Sequence, residues 1–368
     1  MRLALLEVFR KPGRFAVAGG ALTMLTLLLL FLGGLLDGLY LGSTGALRSQ
    51  PDGAIVFSAD ARESVLRSTA TTAERDQIAQ LDGVARAGGF GVTLLGVKVP
   101  GESDIADGAI IGYELDSATI PAPPPEGEAW ADRTLEAAGV SLGDTITVGP
   151  AATPLVVSGW VEDTNFLGQS GLWVSPTTWR TVQNANRPDI SVGPDDFQAV
   201  IAEAADGVDP SDLATRIDAG GIGDTSSLST IDAANTLPGV AEQGATFNAI
   251  IGTTFFVVGL VVALFFALLT LERVGLYAVL KAFGTPSRTL VLGVAVQAFA
   301  VAVISFGVGA LFTYLLSLGI PPDVPVQFTI SRGVITLIGI TITAILGGLV
   351  SLRRIISVDP AAAIGAGV

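Results

Sequence analysis

Apolar residues are concentrated in four long runs along this chain, one near its start and three in its last third. Each run has at least 20 residues, and about 20 helical residues cross a hydrocarbon core of about 30 Å. The runs are Phe15–Leu36, Phe247–Leu271, Thr289–Gly319 and Gly333–Leu352. They predict transmembrane helices at 15–40, 247–271, 289–319 and 333–352.

Residues 41–245, between the first and second runs, carry the pattern of a folded polar domain. Short β-branched or alternating runs predict strands, and two segments that follow capping residues predict helices. The predicted strands are Ala54–Ser58, Gly91–Val99, Ala109–Leu115, Thr145–Val148, Leu155–Val161 and Phe197–Ala202, and the predicted helices are Thr72–Leu81 and Pro210–Ala219. The proline-rich segment Pro121–Pro125 predicts a stiff break between two sub-regions, about 42–120 and 126–240.

The predicted fold class is therefore a membrane protein with four transmembrane α-helices. They stand in a 1 + 3 arrangement, with a large extracytoplasmic α+β domain between the first and second helices. Small residues spaced four apart occur in every run and allow close helix packing. These pairs are Gly34/Gly38, Gly259/Ala263, Ser305/Gly309 and Ala344/Gly348.

Basic residues predict the orientation of the four helices. Cytoplasmic loops of membrane proteins are enriched in Lys and Arg, and here three basic groups fall on one side of a four-span layout. The groups are Arg2, Arg10, Lys11 and Arg14; Arg273, Lys281 and Arg288; and Arg353 and Arg354. Both termini are thus predicted to be cytoplasmic, and residues 41–245 to lie outside the plasma membrane.

The first 14 residues admit two interpretations. Leu3, Leu6 and Phe9 recur at helical spacing, which favours an amphipathic helix in the inner membrane interface. A plain positively charged flank accounts for the same residues. The apolar run that follows is longer than a signal-peptide core, so a retained anchor is preferred to a cleaved leader.

Composition excludes several classes of function. Residues 41–245 contain 29 acidic and 10 basic side chains, a poor surface for nucleic acid. The chain has no Cys and no His, which removes Cys/His zinc sites, haem held by those residues and His-dependent catalytic centres. No catalytic, cofactor-binding or metal-binding residue is predicted, and the chain is not expected to be an enzyme.

The energy source is expected to lie outside this chain. None of its three lysines, Lys11, Lys98 and Lys281, stands in a phosphate-binding G-x-x-x-x-G-K-[ST] loop. The apolar runs hold no acid or base except at their ends, whereas ion-driven carriers place ionisable groups inside their spans. Any transport would therefore draw on a partner.

The connector between the second and third runs has a defined pattern. Val279 and Phe283 belong to an apolar face, with Leu276 and Leu280. Gly284 stands where a glycine ends a helix, Thr285 is placed to cap the next helix, and Pro286 suits its first position. A solvated connector with a good turn would show the same features.

Three segments resemble permeases of the MacB/FtsX type, in the ABC transporter group that works by mechanotransmission. Glu272–Thr285 is similar to the family's "R-E-x-G-x-L-[RK]-A-[LF]-G-[AT]", although Glu-Arg replaces Arg-Glu. Ser141–Val148 with Pro154–Trp160 is similar to "x-x-G-D-x-[IV]-x-V … F-x-V-V-G". Val358–Ile364 resembles the tail "D-P-x-E-A-L-R", although Ala362 stands in place of the acid.

The resemblance implies a stand-alone permease subunit, with a MacB-like domain at 41–245 and an FtsX-like permease domain at 246–368. It implies a permease homodimer in membrane lipid and a separate ABC ATPase that binds the ATP, so no cofactor lies on this chain. The ATPase-coupling role falls on Glu272, Arg273, Tyr277, Lys281 and Gly284.

Three functions remain open. The first is efflux of an apolar or amphipathic compound, driven by movement of the extracytoplasmic domain. The second is an FtsX-like regulator that activates an extracellular cell-wall hydrolase without transport, and the third is a membrane sensor without an ATPase. Substrate residues are unknown; Asp37 and Tyr40 are weak candidates, and an interfacial anchor is the preferred interpretation of both.

Overall fold

The chain consists of two compact units. In the computed structural model, residues 12–101, 104–272, 275, 279, 283–321 and 324–356 are described. One unit, here called the helical unit, is formed by the described parts of Met1–Gly38 and Gly244–Val368. The other, the sheet unit, is Leu39–Gln243.

Helices dominate both ends of the chain, and strands dominate the middle. The helices are α1 Pro12–Arg48, α2 Thr72–Ile78, α3 Pro176–Asn186, α4 Pro210–Ala219, α5 Thr230–Asn235, α6 Val240–Leu271, α7 Ser287–Ser317 and α8 Ile330–Ile356. The strands are β1 Gly53–Ser58, β2 Ala70–Thr71, β3 Val84–Lys98, β4 Ile105–Tyr113, β5 Glu128–Asp132, β6 Thr145–Val148, β7 Thr153–Val161, β8 Ser170–Val174, β9 Asp196–Phe197, β10 Ala199–Ala204 and β11 Thr225–Ser229.

Four helices are long and apolar enough to cross a membrane, which confirms the predicted fold class. Within the described residues they are Ala18–Arg48, Val240–Phe265, Val291–Ser317 and Ile330–Leu349. The α+β domain lies between the first and second of them, as predicted. The predicted amphipathic helix at 1–14 falls almost wholly outside the described residues.

Small residues bring the long helices together in two places. Ser305 Oγ on α7 donates to the carbonyl oxygen of Gly19 on α1 (3.1 Å), and a Cβ on Gly309 would lie 2.7 Å from Thr26. On the other side, a Cβ on Gly347 of α8 would lie 2.9 Å from the carbonyl oxygen of Gly259 on α6. The predicted pairs Ser305/Gly309 and Gly259/Ala263 thus lie at helix contacts, and Gly347 opposes the second pair.

The sheet unit contains one nine-stranded sheet in the order β11-β1-β10-β3-β4-β8-β5-β7-β6. Strand β3 also pairs with β6, through Val97 with Val148 and Lys98 with Thr147. This pairing closes β3, β4, β8, β5, β7 and β6 into a ring, and the other three strands extend from β3 as an antiparallel sheet. The 15 residues of β3 therefore connect a six-stranded barrel to an open sheet.

Trp179 on α3 is held against the strands of the barrel. Its ring packs where the Cβ atoms of Gly91 and Gly112 would stand, so β3 and β4 can carry only glycine there. Its indole nitrogen donates to Thr93 Oγ1 (3.0 Å), which satisfies a polar group that is fully buried.

Two of the long helices extend beyond the predicted apolar runs. Helix α1 continues to Arg48 because its last turns belong to the sheet unit, where Ala46 and Leu47 are fully buried. The backbone N–H of Leu167 donates to the carbonyl oxygen of Ser43 (2.9 Å) and fixes this end. Helix α6 likewise starts at Val240, before the run that predicted it.

Strands from both sides of Pro121–Pro125 are interleaved in the sheet. Strand β1 lies between β10 and β11, which come more than 140 residues later in the chain. The architecture is thus an open sheet and a barrel that share β3, rather than two blocks separated at 121–125.

Candidate functional site

The segment after α6 ends in a turn that exposes apolar side chains. Val279 is 47% exposed and Phe283 is 85% exposed. The backbone N–H of Phe283 donates to the carbonyl oxygen of Val279 (3.0 Å), and Gly284 has φ +81°, a left-handed conformation that favours glycine. Glu272, at the other end, is exposed, and its N–H donates to the carbonyl oxygen of Leu268.

The start of the next helix differs by one residue from the expectation. Helix α7 begins at Ser287, and Pro286 rather than Thr285 occupies the N-cap position. Proline at the N-cap adopts an extended conformation here (φ −66°, ψ 141°), which ends the turn without a side-chain cap. Arg273, Tyr277 and Lys281, the other three predicted coupling residues, lie outside the described residues.

A second group of residues lies at the outer ends of the long helices, within the helical unit. The segment 324–329 leads into α8 and packs on α1: the N–H of Gln327 donates to the carbonyl oxygen of Gly34 (2.9 Å). A Cβ on Gly38 would collide with the carbonyl oxygen of Pro325. The small pair Gly34/Gly38 therefore lets this segment approach α1. We call residues 324–332, which are this segment and the first three residues of α8, the outer clasp.

An ion pair holds the outer clasp to α1. Arg332, in the first turn of α8, donates from Nε to both carboxylate oxygens of Asp37 (3.2 Å each) and from Nη2 to Oδ1. Thr329 Oγ1 donates to Asp37 Oδ2 (2.8 Å) and accepts the backbone N–H of Arg332 (3.3 Å). A cation such as Arg332 is unfavourable at a helix N-terminus. The negative charge of Asp37 compensates for this unfavourable position of Arg332.

A cavity of about 170 Å³ opens beside this ion pair, within the helical unit. Its walls come from α1, α7, the outer clasp and the start of α8. The lining residues are Leu30, Phe306, Ala310, Thr313, Tyr314, Ser317, Phe328, Thr329, Arg332 and Gly333. Carbon atoms form most of the surface, and Arg332 supplies the charged group.

Comparison with known families bears on residues 248–360, which include the exposed turn and the cavity wall of α7 and α8. The family described as FtsX-like permease C-terminal matches this range. The chain carries an FtsX-like permease domain. The match accounts for three of the four long helices and for the connector between α6 and α7.

Named relatives agree with this FtsX-like permease domain. An ABC transporter permease of Mycobacterium bovis is 34% identical over 129 residues, which are 34% of this chain and 35% of the relative. A protein of Staphylococcus epidermidis named for a hemin transport system, the permease HrtB, is 22% identical over 138 residues, or 38% of this chain and 39% of the relative. These alignments span little more than a third of the length of the relatives.

Two solved structures align with about half of the chain. The periplasmic region of MacB from Actinobacillus actinomycetemcomitans aligns with a TM-score of 0.35 and 14% identity, covering 50% of this chain and 92% of that one. The extracellular domain of the transporter YknZ from Gram-positive bacteria aligns with a TM-score of 0.33 and 13% identity, covering 48% and 99%.

The weak substrate candidates Asp37 and Tyr40 have different partners. Asp37 binds Arg332 and Thr329 of the outer clasp. The ring of Tyr40 instead lies under the guanidinium of Arg48, 5.8 Å from its centroid, within the sheet unit. Arg332, Thr329 and Tyr314 were not predicted as site residues, although a single acid and a single base at the outer ends of apolar spans tend to pair.

Proposed function

We propose that this chain is the permease subunit of an ABC-type efflux system, coupling a separate ATPase subunit to movement of the extracytoplasmic domain. The FtsX-like permease domain at 248–360 is the observation that carries the proposal. Relatives that align with about a third of the chain are named ABC transporter permeases. The chain would act as a homodimer in the plasma membrane, with both termini in the cytoplasm.

The described residues of the segment after α6 support a docking role for the ATPase. Interfaces are anchored by exposed apolar and aromatic side chains that become buried on binding, and Phe283 and Val279 are such residues. Glu272 lies in the same segment, and Gly284 sets the direction in which the chain turns back. Arg273, Tyr277 and Lys281 would complete this surface.

Helix continuity supports the coupling of the domain to the spans. The unit boundaries at Gly38/Leu39 and Gln243/Gly244 both fall inside helices, α1 and α6. A hydrogen-bonded helix transmits axial displacement, whereas a flexible loop would absorb it. ATP-driven changes at the turn after α6 would thus reach residues 41–245 along α6.

The exported compound is proposed to be apolar or amphipathic. Spans without interior charges offer no path for a hydrated ion, and a relative is named for hemin, a large apolar ring with carboxylate side chains.

Cells that lack this chain test the proposal. They are expected to accumulate a fluorescent amphipathic dye or hemin to several times the level of the parent strain, and the full chain is expected to restore efflux and to co-purify with an ABC ATPase. Equal accumulation in both strains, with an extracellular hydrolase left inactive in the deletion strain, would instead favour regulation without transport.

A further inference from the structure

We propose that the cavity beside Asp37 and Arg332 binds a single-chain amphipathic anion, with its apolar chain among the helices and its acidic head group at Arg332. The inference rests on the proposed function and names the class of compound that the permease takes up.

The cavity is almost wholly apolar, and Arg332 is the charged residue of its lining. Its deeper wall is formed by Leu30, Phe306 and Ala310, which offer only carbon side chains. Tyr314 and Ser317 line its outer part, where the hydroxyl of Ser317 donates to the carbonyl oxygen of Tyr314 (2.7 Å). Eleven residues separate Phe306 from Ser317 on α7, which corresponds to roughly 16 Å along a helix. A ligand with one apolar and one polar end fits in one orientation, with its polar end at Arg332.

Charge at the polar end favours an anion. The side chain of Arg332 is 25% exposed and that of Asp37 only 15%. Arg332 uses Nε and Nη2 for Asp37, and no acceptor for Nη1 is found among the described residues. Both oxygens of Asp37 already accept hydrogen bonds, from Arg332 and Thr329. A cationic head group would therefore compete with Arg332 and Thr329 for Asp37, whereas an anionic one finds the open Nη1 donor of Arg332.

The fold adds positive potential at the same place. Arg332 and Gly333 belong to the first turn of α8, and the N-terminus of a helix carries about half a positive charge. The single negative charge of Asp37 is thus opposed by the positive charge of the Arg332 guanidinium and by the partial positive charge of the helix N-terminus. Tyr314, which is 62% exposed, adds a phenolic donor at the mouth.

Photolabelling of the full chain in nanodiscs of zwitterionic lipid tests the inference without any ATPase. Three probes with the same diazirine-bearing six-carbon chain carry a carboxylate, a trimethylammonium or a hydroxyl head group. Labelling by the carboxylate is expected to concentrate on peptides within 306–333 and to exceed labelling by the other two about tenfold, the gain of a charge-assisted hydrogen bond. Equal labelling by the three probes would overturn the inference.

Variants separate the head-group contact from the cavity. Arg332→Gln is expected to lower carboxylate labelling about tenfold, and Asp37→Asn, which frees the guanidinium, is expected to raise it. Ala310→Phe fills the deeper wall and is expected to lower labelling by all three probes. Arg288→Gln, the same change in an exposed residue at the other end of α7, is the matched control. If Arg332→Gln and Arg288→Gln label alike, the assignment of Arg332 is wrong.

Two further comparisons complete the test. Anionic diacyl lipid added to the nanodiscs displaces the probe if bilayer lipid is the natural ligand, and leaves labelling unchanged if the ligand is a single-chain compound. Labelling in nanodiscs needs no partner protein. If the carboxylate probe labels the chain as expected but cells show no efflux, only the proposed function is contradicted. Efflux without head-group selectivity would contradict only the present inference.

Discussion

Replacing Phe283 by aspartate is expected to uncouple export from ATP hydrolysis. A central aromatic anchor contributes about 2 kcal/mol or more to an interface, which corresponds to roughly thirtyfold in affinity. Phe283 is 85% exposed and directly precedes the turn at Gly284. Aspartate would remove this anchor and place a charge in the proposed docking surface. Retention of the ATPase on the affinity-purified permease and ATP-dependent efflux are the two measurements.

Leu142→Asp is the control for this variant. Leu142 is also strongly exposed, but it lies in the sheet unit, remote in sequence from the turn. It is expected to retain both the ATPase and efflux. Full efflux by Phe283→Asp would show that the coupling surface lies elsewhere, and loss of both activities in the two variants alike would indicate a general defect in expression.

Trp179→Ala is expected to produce the largest loss of stability in the sheet unit. Truncating a fully buried Trp costs about 3–5 kcal/mol, because it removes apolar contacts and leaves a cavity. The cost is high here because the facing positions are Gly91 and Gly112, whose missing side chains cannot fill the space. The hydroxyl of Thr93 also loses its indole donor.

Thermal unfolding of the full chain, followed by tryptophan fluorescence, measures this effect. A loss of this size lowers Tm by on the order of 10 °C for a unit of about 200 residues. Trp160→Ala is the matched control, since Trp160 is half-buried and outside the fully buried core. A similar Tm for the two variants would contradict the described packing of α3 on the barrel.

The spans could be predicted because a membrane leaves a strong signal in sequence. Uncharged apolar runs of 18 or more residues are typical of membrane-spanning helices, and all four runs correspond to long helices. The ends of these helices are harder to predict. Leu39–Arg48 and Val240–Gln243 contain polar residues and are nevertheless helical, the first because it is buried within the sheet unit. Hydropathy alone cannot reveal tertiary contacts of this kind.

The sheet was only partly predictable, because strand pairing depends on residues that are distant in sequence. Alternating runs located β1, β3, β4, β6, β7 and β10. Strands β5 and β8 were not predicted: β5 reads Glu-Ala-Trp-Ala-Asp, with acids at both ends, and β8 contains a serine and a glycine. These strands join the barrel through parallel pairing with β7 and β4, which no local pattern specifies.

The candidate site shows the same limit. Asp37 and Arg332 were both visible as isolated charges at the outer ends of apolar runs, but 295 residues separate them. Their pairing depends on Gly34 and Gly38, which let the outer clasp approach α1. The cavity beside them is a space left between packed helices, and its existence follows from side-chain volumes in three dimensions rather than from any motif.

In the proposed function, ATP hydrolysed by a partner moves the extracytoplasmic domain through this permease. Because the chain has no cysteine, Leu142→Cys can carry a single spin label on each copy of the full-length protein in complex with its ATPase. Pulsed electron–electron double resonance then measures the distance between the spin labels of the two copies. One distance distribution is expected with ADP and a shifted one with ATP and vanadate; identical distributions in both states would contradict this coupling.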